Sequence, residues 1–495
     1  MTMTIAIEVS AWRLSTGLVE TLRYSDAGFT TRPTDTPANA FFDPRLVEPP
    51  RLSRVLFDQA TTYGASRASV GEILLSNPDG QLDALLTDYA FDGRPFVVKS
   101  GALGTAVSGW PVVLSGLLDD VRSAGSEISL VVRDRLAALG RPLSRAKYAG
   151  NNVLPDGLEG TKDDLKDQYK PRVYGSVLNL PAKLVNSSKL VYQVSDQGCT
   201  VGTVYDNGVA LTRGADYASS ADLLATAPAA STVRCWGGLC RLGSSPAGQV
   251  TVDVATTETR AGALLQAVAL DAGIPSGDIV AADVTALNAA NAAPVGVWVD
   301  GEASAQAVMD TLANAIGAWY GFDRLNRLRM GRLTAPSGTP TTIYADAEMA
   351  LTVRSAGVPS WRAVVRFARN YTVQAQPAGS VSAARRAFLA LDLRQTASER
   401  TTVQTAWPSS EAVIFDTALV AEADAAAEAS RRADLYSVRR VLVDVEIPLA
   451  ELGAIDLDSV VTVQTSRYGL SGRLLRVIGL DTGVDRGTAK LTLWG

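Results

Sequence analysis

Gly71-Glu72-Ile73-Leu74-Leu75-Ser76-Asn77-Pro78-Asp79-Gly80 runs an apolar segment into a dense turn signal. Ile73, Leu74 and Leu75 suit a pleated, half-buried surface, and Asn-Pro-Asp-Gly supplies the residues that tight turns require. The stretch predicts a short strand that ends abruptly, followed at Leu82-Asp83-Ala84-Leu85-Leu86 by a single helical turn. Working outward, residues 5–9, 95–99, 111–115 and 127–132 read as further short strands with turns between them. Such spacing predicts a small barrel or sandwich over residues 1–150. Residues 31–50, rich in Pro, Thr and Asn, predict a long excursion over the surface, an arm.

The pattern continues as β after a polar connector over 141–175, whose Lys/Asp run at 161–170 reads as a solvated loop. Residues 176–254 have strand character, with a hairpin turn at Asp206-Asn207-Gly208 and an alternating strand over 249–254. The connector and this section make a β-rich unit over 151–255. At Thr256 the period changes. Ala263, Leu264, Ala267, Val268 and Leu270 fall at helical spacing and Gly273 supplies a stop. A strand over 295–299, a second helix over 303–318 and a hairpin around Asp323-Arg324-Leu325-Asn326 complete a compact α+β unit at 256–345. The remaining residues, 346–495, return to strands at 361–367, 439–447, 460–465, 474–480 and 489–494, with an Ala/Glu-rich helix set in at 417–435. The fold class read from these periods is mainly β with α+β parts.

Composition narrows function. The 495 residues include no histidine. That removes Ser-His-Asp and Cys-His nucleophiles, His-ligated zinc and an imidazole general base. Net charge is -5, with 46 Lys and Arg against 51 Asp and Glu, which speaks against a protein that grips phosphates. Such a balance suits a surface that DNA slides past without sticking. The first residues lack a basic region followed by an apolar stretch, and no window approaches the ~20 apolar residues of a membrane span. The expectation is a protein made in the cytoplasm.

No constellation rises to an enzyme assignment. Asp119/Asp120, Asp163/Asp164 and Asp300/Glu302 are pairs in sequence, yet glycoside hydrolysis needs carboxyls facing each other across a cleft. The turn from Asn77 to Asp83 has calcium-loop residues without the closing Glu. Gly101-Ala102-Leu103-Gly104 has no following Lys-Ser/Thr and is not a phosphate loop. Cys199, Cys235 and Cys240 are read as small buried residues, and pairing of Cys235 with Cys240 or with Cys199 stays open. Arg385/Arg386 and Arg431/Arg432 read as solvated faces or protein contacts. Trp319, Tyr320 and Trp361 read as core aromatics, with a sugar-binding platform as the rival. No catalytic, cofactor or metal residue is assigned, and no cofactor is expected.

Several stretches carry a resemblance. Gly71 through Gly80 and Asp88-Tyr89-Ala90-Phe91-Asp92-Gly93-Arg94-Pro95 resemble the first barrel of hub proteins from bacteriophage tails. Tyr174-Gly175-Ser176-Val177-Leu178-Asn179-Leu180-Pro181 and Lys189-Leu190-Val191-Tyr192-Gln193-Val194 resemble the section after it. Ala318-Trp319-Tyr320-Gly321-Phe322-Asp323 with Leu328-Arg329-Met330-Gly331-Arg332-Leu333 resembles the end of the α+β unit. Tyr468-Gly469-Leu470, Arg476-Val477-Ile478-Gly479 and Leu491-Thr492-Leu493-Trp494-Gly495 resemble the last barrel.

The resemblance implies two hub-type β-barrel domains, 1–150 and 346–495, around the β-rich insertion and the small α+β domain. It implies a homotrimer in which six barrels form a ring that adapts a sixfold tail tube and distal tail protein to threefold tip components. Implied partners are the tape-measure protein and a tip or central fibre protein, with DNA passing transiently through the ring. Localisation would be the virion, at the tail tip, after assembly in the host cytoplasm. Related hubs carry a C-terminal fibre or lytic domain, which the sequence does not show, so receptor binding and wall digestion are expected of other proteins. Gene-transfer agents and tail-like bacteriocins use the same part. The rival reading is a glycan-binding or carboxylate-dependent wall-degrading tail protein.

Overall fold

The computed structural model describes residues 3–57, 62–133, 135–143, 146–344, 350–483 and 487–495. The chain is mainly β. Alternating apolar residues in the first part curl one sheet into a barrel, in the order Leu18–Ser25, Met3–Arg13, Pro95–Ala102, Val112–Ala124, Glu127–Arg133, Ile73–Ser76, Leu46–Glu48. All these neighbours are antiparallel, and an isolated bridge between Tyr24 and Asp43 brings the two ends of the sheet together. Ile7, Val9, Phe96, Val98, Leu114, Leu118, Ile128, Leu130, Ile73 and Leu75 point inward at period two and are buried. Gly101, singled out in sequence only to be dismissed, is a packing glycine. A Cβ there would lie 2.3 Å from the Trp110 ring.

The expected arm is more compact than the sequence suggests. Phe29–Thr30 pairs with Phe41–Phe42, and the Phe29 and Phe42 rings stack at 4.7 Å beside Trp110. Thr31 Oγ1 donates to the Pro37 carbonyl at 2.6 Å and accepts from the Ala40 amide at 2.8 Å, tying the loop ends to each other.

Between Leu46–Glu48 and Ile73–Ser76 the chain leaves the first barrel, and this departure was not legible in the sequence. Leu52–Val55 pairs with Leu475–Gly483, and Arg67–Val70 pairs with Leu52–Val55. Both strands of this strap belong to the second barrel's sheet, which runs Thr341–Tyr344, Val460–Gln464, Leu475–Gly483, Thr488–Trp494, Val441–Pro448, Leu351–Ser355. Its core holds Val443, Val445, Val461, Val477, Leu491 and Leu493, and takes Leu56 from the strap. The sequence boundary of 1–150 therefore cuts across one body. Leu52–Val55 and Arg67–Val70 extend the second barrel's sheet, because a hairpin at a sheet edge satisfies its backbone groups wherever a free edge lies.

Two five-stranded sheets form a sandwich in the β-rich section, with Val201, Val204, Val233, Cys235, Cys240, Val252 and Val254 between them. The 161–170 run is a sequence of turns as expected, although it contributes Leu165 to a small core with Tyr148.

The α+β region is larger than 256–345. The helices Ala261–Asp271 and Ala305–Ile316 stand where expected, the second ended by Gly317 in the left-handed region at φ 65. A third helix, Ala281–Ala290, was missed, since its Ala-rich run lacks a clear apolar stripe. A second sheet, Arg362–Phe367 between Arg394–Glu399 and Ala412–Asp416, joins the same core with the helix Glu422–Tyr436. Leu264, Leu312, Tyr320, Val365, Phe415 and Ala429 share that core. The inserted helix thus packs on the α+β region and not on the last barrel alone.

The strap crosses the α+β hairpin at Gly321. Its Gly64–Ala65 segment pairs in parallel with Trp319 and Tyr320, and a Cβ on Gly321 would lie 1.6 Å from Ser66 Oγ. Gly321→Ala is expected to lower stability by about 1–3 kcal/mol through overpacking. Adding Ser66→Gly, which removes the obstructing side chain, should recover most of the loss relative to Ser66→Gly alone. Thermal denaturation of the four proteins measures this, and equal losses in both backgrounds would place the strap elsewhere.

Candidate functional site: the barrel junction and its exposed edge

The region that holds the two barrels together is built from short polar anchors around the strap. Arg51 grips Asp481 with two bonds of 2.8 and 2.9 Å, and Thr482 Oγ1 donates to the Leu52 carbonyl at 3.1 Å. Arg54, almost fully buried, pairs with Asp456 and donates to the Phe322 carbonyl at 3.3 Å. The Ser66 amide donates to the Tyr320 carbonyl at 2.7 Å, and the Ala65 amide to Asp310 Oδ1 at 3.0 Å. Tyr320 Oη donates to the same Asp310 oxygen at 2.7 Å, and burial raises the Asp310 carboxyl above the ordinary value.

The turn Asp323-Arg324-Leu325-Asn326, expected as an ordinary hairpin loop, touches both barrels. The Ser115 amide of the first barrel donates to the Arg324 carbonyl at 2.8 Å, and Arg324 Nη2 reaches the Gly453 carbonyl of the second at 2.6 Å. Asp323 shapes the turn from within: its Oδ1 accepts from the Leu325 and Arg327 amides, each at 2.9 Å.

A second anchor is a buried carboxylate among three guanidinium groups. Glu428 accepts from Arg431 at 2.7 and 2.9 Å, from Arg432 at 2.6 Å, and from Arg332. The same arginines donate to carbonyls at helix ends. Arg432 reaches the Asn314 carbonyl, Arg332 that of Ile316 at 2.7 Å and that of Ala290 at 2.9 Å. These carbonyls lie in the last turns of their helices, where positive charge is favoured. Burial alone would raise the Glu428 carboxyl, but the Arg431 hydrogen bonds and the charges of Arg432, Arg431 and Arg332 outweigh it and hold it at about 2. Arg332 moves the other way, down to about 10, through burial and the adjacent Arg431. Reading Arg431/Arg432 as a solvated face is corrected here, since Arg432 is fully buried against the Phe415 ring at 3.9 Å.

The other sequence candidates are dispersed. Asp119 and Asp120 are exposed beside a β-bulge, with Asp119 on Arg133. Asp163 and Asp164 lie in a surface turn, and Asp300 pairs with Lys183 at 2.6 Å while Glu302 is exposed. In the Asn77 to Asp83 turn the carboxylates already have partners: Arg45 holds Asp79 at 2.6 and 2.8 Å, and Asn77 donates to Asp83 at 2.8 Å. Arg385 stacks on Tyr205 at 3.7 Å and donates to Asn179 at 2.6 Å. Cys235 and Cys240 are buried and face each other, while Cys199 is partly buried and its thiol is pushed up to about 11 by burial and the nearby Cys235. Among the described residues no group of three or more Cys, Asp or Glu is placed to hold a metal ion. Trp319 and Tyr320 are core residues, at 4% and 0% exposure, so a sugar could not stack on either without unfolding. No helix among the described residues is long and apolar enough to cross a membrane.

What the first barrel does expose is an apolar edge. The strand Leu18–Ser25 pairs with Met3–Arg13 on one side, and among the described residues no strand covers its other side from Leu18 to Leu22. Leu18, Val19 and Leu14 are 64%, 52% and 58% exposed, and Leu86 is also exposed nearby, where the Leu14 amide donates to the Asp88 carbonyl. An unpaired edge with large apolar side chains is where another chain can add. Sequence reading missed it because the run from Leu18 to Leu22 looks like any half-buried strand.

No family model matches the chain, and no curated protein matches it. Among solved structures it is similar to the 43 kDa tail protein of prophage MuSo2 from Shewanella oneidensis, at 11% identity and TM-score 0.39, covering 98% of each chain. It is similar to a tail protein from Neisseria meningitidis MC58, at 9% identity and TM-score 0.41, covering 99% of this chain and 96% of that one. Prophage tail protein gp18 from Listeria monocytogenes EGD-e is similar at 8% identity and TM-score 0.41, over 99% and 94%.

The Glu428 cluster yields a signed pH dependence. The carboxyl is held at about 2 against an ordinary 4.5, so its stabilising share is complete above about pH 4.5 and is lost as pH falls towards 2. Glu428→Gln is expected to cost about 3–5 kcal/mol at neutral pH, because the fully buried Arg432 and the half-buried Arg332 and Arg431 lose their counter-charge. Urea denaturation from pH 7 to pH 3 should show the gap between wild type and variant narrowing as acid is added.

Proposed function

We propose that this chain is a structural hub at the distal end of a phage-type tail, a trimer whose six barrels form a ring. The observation that carries the reading is the strap: two barrels of one chain are locked in a fixed relation by strands lying 430 positions apart, as in Thr482 and Leu52. A rigid unit with two barrels is what a threefold ring needs if it is to present six similar bodies to a sixfold tube. The stretches at 71–95, 174–194, 318–333 and 468–495 that resemble hub proteins support it, and their residues do structural work. Gly321 admits the strap and Asp323 shapes the turn between barrels. In this reading the channel carries DNA without gripping it, in keeping with a net charge of -5. Distal tail protein, tail tube, tape-measure and tip fibre proteins are the partners, and the protein resides in the virion after assembly in the host cytoplasm. The hub performs no chemical turnover.

The exposed Leu14, Leu18 and Val19 edge is assigned to the contact between copies. Native mass spectrometry should find a species of three 52.0 kDa chains. Leu18→Glu with Val19→Glu should shift it towards monomer, while circular dichroism stays unchanged because neither side chain is in the core. A wild-type protein that stays monomeric at high concentration, or a variant that trimerises as well as wild type, would contradict this assignment.

A further inference from the structure

The sandwich contains a pair of buried cysteines that takes no part in the barrel junction. Cys235 and Cys240 sit directly opposite each other on the hairpin Thr232–Trp236 and Leu239–Leu242, with their sulfur atoms 3.3 Å apart. Hydrogen bonds fix the kind of pair they form. The Gly243 amide donates to the Thr232 carbonyl at 2.9 Å, so by alternation Thr232/Gly243, Arg234/Arg241 and Trp236/Leu239 are the hydrogen-bonded pairs. Cys235/Cys240 is therefore a non-hydrogen-bonded pair. Independently, the Cys235 carbonyl turns away from Cys240 and accepts from the Tyr217 amide at 2.8 Å. Directly opposed residues of that kind hold their Cα atoms about 4.5 Å apart, inside the range of about 4.4–6.8 Å that a disulfide spans.

We propose that Cys235 and Cys240 are an oxidation site, forming a cross-strand disulfide when the protein leaves a reducing environment and meets a small-molecule disulfide. The opposed register brings the two sulfurs within reach of each other. Both sulfurs are buried, so a small disulfide reaches them when the hairpin tip Trp236-Gly237-Gly238-Leu239 opens. One thiol loses its proton and attacks the small disulfide, releasing one small thiolate and leaving a mixed disulfide. The second cysteine, also deprotonated, attacks the protein sulfur of that mixed disulfide and releases the other small thiolate. The two cysteines lose two electrons and two protons, and the small disulfide is reduced to two thiols. The hydrogen bond shared with Cys235, and then burial, hold the Cys240 thiol well above its ordinary value, so the exchange runs slowly and speeds up as pH rises. Cys199 lies at the start of the strand Thr200–Asp206 on the opposite sheet and is not part of the bond.

The test uses the full chain, incubated natively with glutathione disulfide, quenched in acid, denatured, alkylated with a maleimide and digested with trypsin. Arg234 and Arg241 flank the pair, so both cysteines fall in one peptide, Cys235 to Arg241. The expected product is that peptide without alkylation and lighter by two hydrogens, and with two alkylations when the sample is reduced before alkylation. The Cys199→Ser protein should give the same product. A peptide doubly alkylated without reduction, a stable glutathione adduct in place of the internal bond, or a link from Cys199 would each overturn the assignment. None of these outcomes depends on the trimer or on tail localisation.

Discussion

The structure depends on one backbone pairing, Leu52–Val55 against the strand Leu475–Gly483. Chain from near the start supplies an edge that chain at the end requires. The excursion leaves and re-enters the first barrel at Leu46–Glu48 and Ile73–Ser76, which pair with each other. Burial of Leu56 in the second core and the Arg51–Asp481 and Arg54–Asp456 pairs then make separation of the barrels costly. Pairings so distant in sequence close late, because loop entropy is spent before the contacts return it. Folding in this chain is accordingly expected to be cooperative across both barrels.

Around that pairing the remaining parts act as spacers with defined ends. The Asp323 to Asn326 turn is held by Asp323 so that its carbonyls and Arg324 meet one barrel on each side. The Glu428 cluster does similar work deeper in the molecule. It caps the carbonyl ends of Ala281–Ala290 and Ala305–Ile316 with arginines from the hairpin and from Glu422–Tyr436. Buried ion pairs of this kind are weak sources of net stability, but a mismatch among four charged groups is expensive, so they fix one arrangement over its alternatives. The sandwich is attached through the Arg172–Asp271 ion pair and through an amide network. Asn179 Nδ2 donates to Asn370 Oδ1 at 2.7 Å and to the Thr372 carbonyl at 2.9 Å, and Asn370 passes the chain of bonds to Leu389 at 3.1 Å.

Local structure was legible in the sequence where period and turn chemistry agree. The strand and turn at 73–80, the hairpin at Asp206-Asn207-Gly208 and the Gly273 stop all stand in the structure close to their expected places. What stayed hidden was the destination of edges. Leu52-Ser53-Arg54-Val55 looks like any short strand, and nothing in its composition says that its partner lies beyond residue 470. The arginines at 431 and 432 misled for a related reason, since a charge pair on a helix reads as solvated until its carboxylate partner and the helix ends it caps are placed around it. The absence of histidine needs no placement to be read, because it is a property of composition alone. The exposed edge at Leu18 and Val19 is the reverse case, a feature that only burial reveals.

In the proposed function this chain is a structural part of a tail's distal end. Immunogold labelling of tailed particles with an antibody against the chain, viewed by negative-stain electron microscopy, tests it most directly. Gold confined to the tip of the tail is the predicted result. Unlabelled particles, with the protein free in the lysate, would contradict the account.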